Sequence, residues 1–110
     1  MVDYQLIFPD DFDDYSWEVE SKGWFNGAIA IFEGVHYSVV FYDPIRLAQE
    51  IEDELKETPA FFENNLIVVN VVNRRHMEKA IEVIAHTEKY KDMVVLSGRD
   101  GVYSLRSKRF

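Results

Sequence analysis

The chain contains no cysteine, which excludes disulfides, thiolate metal ligands and thiol nucleophiles, and leaves nothing that points to an oxidising compartment. Long hydrophobic runs are also missing. Apolar stretches such as Leu66 to Val69 fall far short of the roughly 20 apolar residues that a membrane helix needs. Met1 to Pro9 include Asp3 and carry no basic flank, so no signal peptide is expected and the cytoplasm is the default address. The five glycines are scattered at turns and build no glycine-rich phosphate loop, and no G-x-S-x-G elbow is present. Nucleotide chemistry and serine nucleophiles therefore have no candidate, and no cofactor is expected.

Basic charge is scarce. Twelve Lys and Arg stand against 20 Asp and Glu, a formal net charge of -8 over 110 residues. Most of such a surface repels a phosphate backbone and forgoes the counterion release that drives nucleic-acid binding. The imbalance is concentrated near the start, where Asp3, Asp10, Asp11, Asp13, Asp14, Glu18 and Glu20 face only Lys22. The last residues are the basic end, with Arg99, Arg106, Lys108 and Arg109 against Asp100. What the chain has in quantity is apolar material, 47% hydrophobic and 15% aromatic. That is enough for a single domain over residues 1–110 that buries roughly two thirds of its unfolded surface.

Periodicity divides the chain into elements. Tyr4 to Phe8 reads as a short strand ended by Pro9, and Asp10 to Asp14 as a loop. From Tyr15 to Glu20 the pattern alternates, with Tyr15, Trp17 and Val19 on one side, which predicts a half-buried strand. Ala28 to Phe32 and Val35 to Tyr42 read as strands joined at Glu33-Gly34, completing an antiparallel meander. At Asp43-Pro44 the period changes to about 3.6, with Asp43 suited to the N-cap and Pro44 to the first helical position. Leu47, Ala48, Ile51 and Leu55 form the apolar stripe, and Pro59 stops the helix near Thr58.

Leu66 to Val72, apolar on both faces apart from Asn70, reads as a central strand. Asn73 caps a second helix, with Met77, Ala80, Ile81 and Ile84 on one face, ending between His86 and Tyr90. Met93 to Leu96 and Val102 to Leu105 flank Ser97 to Gly101 as a terminal hairpin. The predicted fold class is α+β, a mainly antiparallel sheet in the order ββββαβαββ with two helices packed on it.

Residue pairs that could carry chemistry are few. Pro9-Asp10 with Glu20-Ser21-Lys22 resembles the P-D…E-x-K signature of metal-dependent nucleases, whose carboxylates hold a divalent cation while the lysine assists water or phosphate. The loop Asp10-Asp11-Phe12-Asp13-Asp14 lacks the glycine and the glutamate that an EF-hand requires. His36, His76 and His86 are too scattered for a zinc motif, so no metal is expected.

The first helix carries a different signal. At about 100° per residue, Asp53, Glu54 and Glu57 fall within about 60° of Glu50, beside the apolar stripe. Glu50 with Glu54 and Asp53 with Glu57 repel at i,i+4, and the last three sit where the helix dipole disfavours anions. Such local costs gather at functional positions, so this stripe is the first candidate partner surface. Asp10, Asp11, Asp13 and Asp14 are the second, and Trp24, beside Gly23 and Asn26-Gly27, is a candidate aromatic anchor. Arg74 and Arg75 begin the second helix against its dipole and call for an anion, either an internal carboxylate or one from a partner.

The run Tyr37 to Pro44, then Asn65 to Val69, then Met77 to Ile81, in a small acidic cysteine-free chain, resembles the immunity proteins that bacteria make against their own polymorphic or contact-dependent toxins. The resemblance implies a stoichiometric inhibitor of a cationic toxin domain, often a nuclease, that is monomeric when free. An acidic secretion chaperone or adaptor, and the metal nuclease above, are the alternatives.

Overall fold

A computed structural model describes residues 2–96. The chain forms β1 (Tyr4–Ile7), α1 (Phe12–Lys22), β2 (Trp24–Phe25), β3 (Ile29–Phe32), β4 (Val35–Ser38), β5 (Val40–Tyr42), α2 (Pro44–Leu55), β6 (Leu66–Val68) and α3 (Arg74–His86). A 3-10 turn, Lys89–Asp92, follows. The class is α+β, with two small sheets. One is antiparallel throughout in the order β1-β3-β4; the other, β2-β5-β6, pairs β5 antiparallel with β2 and parallel with β6.

The hairpin of β3 and β4 closes at Glu33-Gly34, both with positive φ (51° and 80°). This two-residue turn matches the right-handed strand twist. β4 and β5 are the predicted strand Val35 to Tyr42, divided at Val39. Alternation survives the division, because Tyr37, Val39 and Phe41 all enter the main core while the chain changes sheets. Val40 and Tyr42 are also buried but lie outside that core, on the opposite face of β5. Asn65 pins the corner. Its Nδ2 donates to the carbonyls of Ser38 and Val94 at 2.9 and 2.8 Å, and its Oδ1 accepts the Val94 N–H at 2.8 Å.

Both predicted helices start where the caps place them. Asp43 Oδ1 accepts the Arg46 N–H at 2.7 Å with Pro44 in the first turn, and Asn73 Oδ1 accepts the His76 N–H at 2.9 Å. α2 ends at Leu55, and one further helical bond, Thr58 N–H to Glu54 O at 2.9 Å, carries the turn toward Pro59.

Four expectations are corrected. Tyr15 to Glu20 is not a strand but part of α1, which begins inside the expected loop and bends at Tyr15 (φ -132°). At helical spacing Phe12 and Val19 share the buried side, and Gly23 stops the helix at φ 72°, its N–H bonded to Val19 O. A Cβ there would strike the Asp43 carboxylate, so only glycine fits. Leu66 to Val72 pairs only over Leu66–Val68, at the edge of its sheet; Val69 and Val72 are buried as loop residues instead. Met93 to Leu96 is not a strand, although Leu96 N–H reaches His36 O at 2.7 Å. The rest of the expected terminal hairpin, Ser97 to Leu105, lies outside the described residues. The third helix means that the observed order is βαββββαβα.

The main core lies between these layers. Ala28, just before β3, and Ala30 and Phe32 within it share one core with Met77, Ile81 and Ala85 of α3, while Phe12, Phe25 and Phe8 cluster beside them. Phe32 stacks on Tyr90 with ring centroids 4.8 Å apart. Ile81 is fully buried whereas Val83, two residues on, is exposed. Ile81→Ala should therefore cost about 2 to 5 kcal/mol in urea unfolding, and Val83→Ala less than about 0.5 kcal/mol. Equal effects would place the wrong face of α3 inward.

Candidate functional site

α2 is amphipathic, yet none of its residues is buried. Its half-buried positions are Arg46, Leu47, Glu50 and Ile51, which span a sector rotated from the centre of the apolar stripe toward the acids. The other flank of the stripe is left out. Pro44, Ala48 and Leu55 are exposed there, with Leu55 at 50% and the neighbouring Ile45 at 82%.

Glu50 thus turns inward. Arg46 holds its carboxylate through Nη2 at 3.1 Å and Nε at 3.3 Å. The same carboxylate lies near the hydroxyl of buried Tyr42, which donates to Glu63 Oε1 at 2.8 Å and has the Trp24 side chain as a neighbour. Burial, then the Glu63 and Glu50 carboxylates, push the Tyr42 hydroxyl far above its ordinary value of 10.0. Trp24 is half-buried in β2, opposite Tyr42 in the sheet register. Around one phenol, therefore, the structure gathers two of the candidate residues.

The remaining candidates differ in how firmly they are held. Asp53 is 3.9 Å from Lys56 on the surface. Glu54 ends the acidic row on the helix, and Glu57 lies in the turn beyond it, because α2 stops at Leu55. Neither carboxylate has a partner among the described residues. In the second patch, Asp11 acts on Tyr15, whose pKa is raised first by desolvation and then by that carboxylate. Asp13 pairs with Arg74 at 3.2 Å. Asp10 and Asp14 have no side-chain partner among the described residues. Arg74 therefore finds its anion internally, and Arg75 finds none among the described residues.

The nuclease-like residues are dispersed by α1. Asp10 precedes the helix, whereas Glu20 and Lys22 lie in its last turns, roughly 1.5 Å further along the axis for each residue between. Among the described residues no three His, Cys, Asp or Glu side chains stand close enough to hold a metal ion. His36 is exposed on β4, His76 sits 2.8 Å from Asn73 Oδ1, and His86 meets Tyr4 edge to face at 6.0 Å. Among the described residues no helix is long and apolar enough to cross a membrane.

One residue escapes the sequence reading altogether. Trp17, assigned to a buried strand face, is 70% exposed on α1, while Trp24, the expected anchor, is tied to Tyr42. The signal was present in the helix boundaries: Asp13 and Asp14 in the first turn, Lys22 in the last, and Gly23 after it. With α1 helical, Trp17 is about 200° from Val19 and must face outward.

No protein-family model, no characterised protein and no solved structure matches this chain.

The Tyr42 cluster makes a pH prediction. A phenol whose folded pKa is raised contributes stability that is complete below pH 10 and lost as pH climbs beyond it, since only the unfolded chain then releases the proton readily. Unfolding free energy should fall above pH 10, and Tyr42→Phe should make that fall shallower without abolishing it, because burial and neighbouring Tyr90 also raise Tyr37. Chemical unfolding at a series of alkaline pH values measures it; identical slopes would place the Tyr42 hydroxyl in water.

Proposed function

We propose that this chain is a cytoplasmic immunity-type inhibitor that binds a cationic bacterial toxin domain stoichiometrically and is monomeric when free. One observation carries the reading: an amphipathic helix, α2, buries none of its residues, leaving Ile45, Ala48 and Leu55 exposed on one flank while the unpaired Glu54 stands on a different side of the helix. Apolar area left in water forfeits roughly 25 cal/mol per Å², and Glu54 near the helix C-terminus opposes the dipole. A cationic protein with an apolar centre would offset both. Charge complementarity would steer its encounter, and the exposed side chains would supply the anchors that hold it.

The exposed flank of α2 also suits an acidic chaperone or adaptor. Sedimentation separates the two readings, since a chaperone of this size would dimerise to cover such a surface, whereas the inhibitor stays monomeric until its toxin arrives.

The sharpest variant is Glu54→Lys with Glu57→Lys, because neither carboxylate has a described partner to lose. The free protein should unfold within about 0.5 kcal/mol of wild type or later, as the change suits the dipole. Association with a purified basic toxin domain encoded beside this chain should slow at least about tenfold, with a weaker dependence on salt. A variant that unfolds earlier yet associates at the wild-type rate would assign these acids to the fold.

A further inference from the structure

Trp17 sets an indole in water on the outer face of α1, in the part of the chain richest in acid. Glu20 follows it by three residues, about one turn away, and Asp14 precedes it by three, across the bend at Tyr15. Neither carboxylate has a partner among the described residues, nor does that of adjacent Glu18. The same segment already receives an arginine at its surface. There the Arg74 guanidinium lies 4.3 Å from the Phe8 ring centroid and 5.2 Å from that of Phe12, with Asp13 Oδ1 3.2 Å from its Nη2. That site combines an aromatic face with a carboxylate beside it, and its occupant comes from α3, where the dipole at the first turn disfavours it.

We propose that the outer face of α1 is a second arginine-receiving surface, on which a partner's guanidinium lies against the Trp17 indole and pairs with Glu20 or Asp14. The inference rests on the cationic-partner reading and narrows it from positive charge in general to arginine. Tryptophan has the most favourable aromatic face for a cation. A planar guanidinium can stack on it while donating sideways to a carboxylate, which the compact, strongly hydrated lysine ammonium does less well. The acids around Trp17 repel an anionic surface and leave a cationic one as the fitting occupant.

The test uses octa-arginine and octa-lysine peptides, equal in charge, titrated into the whole chain at low salt and followed by tryptophan fluorescence and calorimetry. Octa-arginine should bind about two- to fivefold tighter than octa-lysine. Trp17→Leu and Trp17→Gln should each abolish that preference while leaving thermal unfolding unchanged, since the side chain is mostly in water. Glu20→Gln should reduce the preference and keep the fold. Equal binding of the two peptides to the wild-type chain, or a preference that persists in both Trp17 variants, overturns the arginine surface and leaves the cationic-partner reading standing. Binding of neither peptide overturns both.

Discussion

Burial of β5 on both faces is the constraint from which the other arrangements follow. Val40, Phe41 and Tyr42 are three consecutive buried residues, and a strand that alternates sides can be buried throughout only if something covers each face. Phe41 joins the main core with Tyr37 and Val39. Val40 and Tyr42 face away from that core, and the connection from β5 to the parallel strand β6 contains α2, whose Glu50 lies near the Tyr42 hydroxyl. Tyr42 brings a hydroxyl into that layer, and Glu63, Trp24 and Glu50 converge on it for that reason. The Asp43 cap follows directly, fixed to Gly23 O through its own N–H at 2.9 Å.

The two layers are unequal. On the side of α3 the fold has what a stable domain requires: fully buried Met77, Ile81 and Ala85 packed with stacked aromatic rings. On the side of α2, one polar cluster and two half-buried aliphatic residues hold the helix, while Val68 at the sheet edge stays half exposed. A net charge of -8 works against self-association through repulsion, which lowers the liability that an unfinished apolar layer carries in a neutral protein. This asymmetry joins the fold to the proposed function, since the less packed layer is also where carboxylates stand unpaired.

Features set by local chemistry were legible in the sequence. Asp43-Pro44, Asn73 and Glu33-Gly34 each determine backbone geometry within a few residues, so both capped helices and the hairpin stand where those residues put them. The alternation of Val35 to Tyr42 is legible too, although the change of sheet at Val39 depends on distant Asn65. Features decided by tertiary packing were not legible. Tyr15, Trp17 and Val19 fit an alternating pattern, and only the burial of Phe12 together with Val19 selects the helical period; that one choice exchanges the roles of Trp17 and Trp24. Likewise, an apolar run from Leu66 to Val72 does not reveal whether its valines are buried by sheet neighbours or, as for Val69 and Val72, by packing of a connection. The acidic positions were visible, but not their partners. Arg74 reaches Asp13 from 61 residues away, whereas Arg46–Glu50 is an ordinary i,i+4 contact on one helix and only the nearness of Glu50 to Tyr42 depends on how that helix packs.

Native-state hydrogen exchange tests the central claim, that α2 is a layer the free domain leaves incomplete. Elements with few buried contacts open locally at lower free energy than the global core. The α2 amides from Leu47 to Leu55 should exchange at least about tenfold faster than those of α3 from Met77 to Ala85, after correction for intrinsic rates, and without unfolding of α3. Equal protection of the two helices would contradict the account, because α2 would then be as firmly held as the core helix and would have no incomplete face to offer a partner.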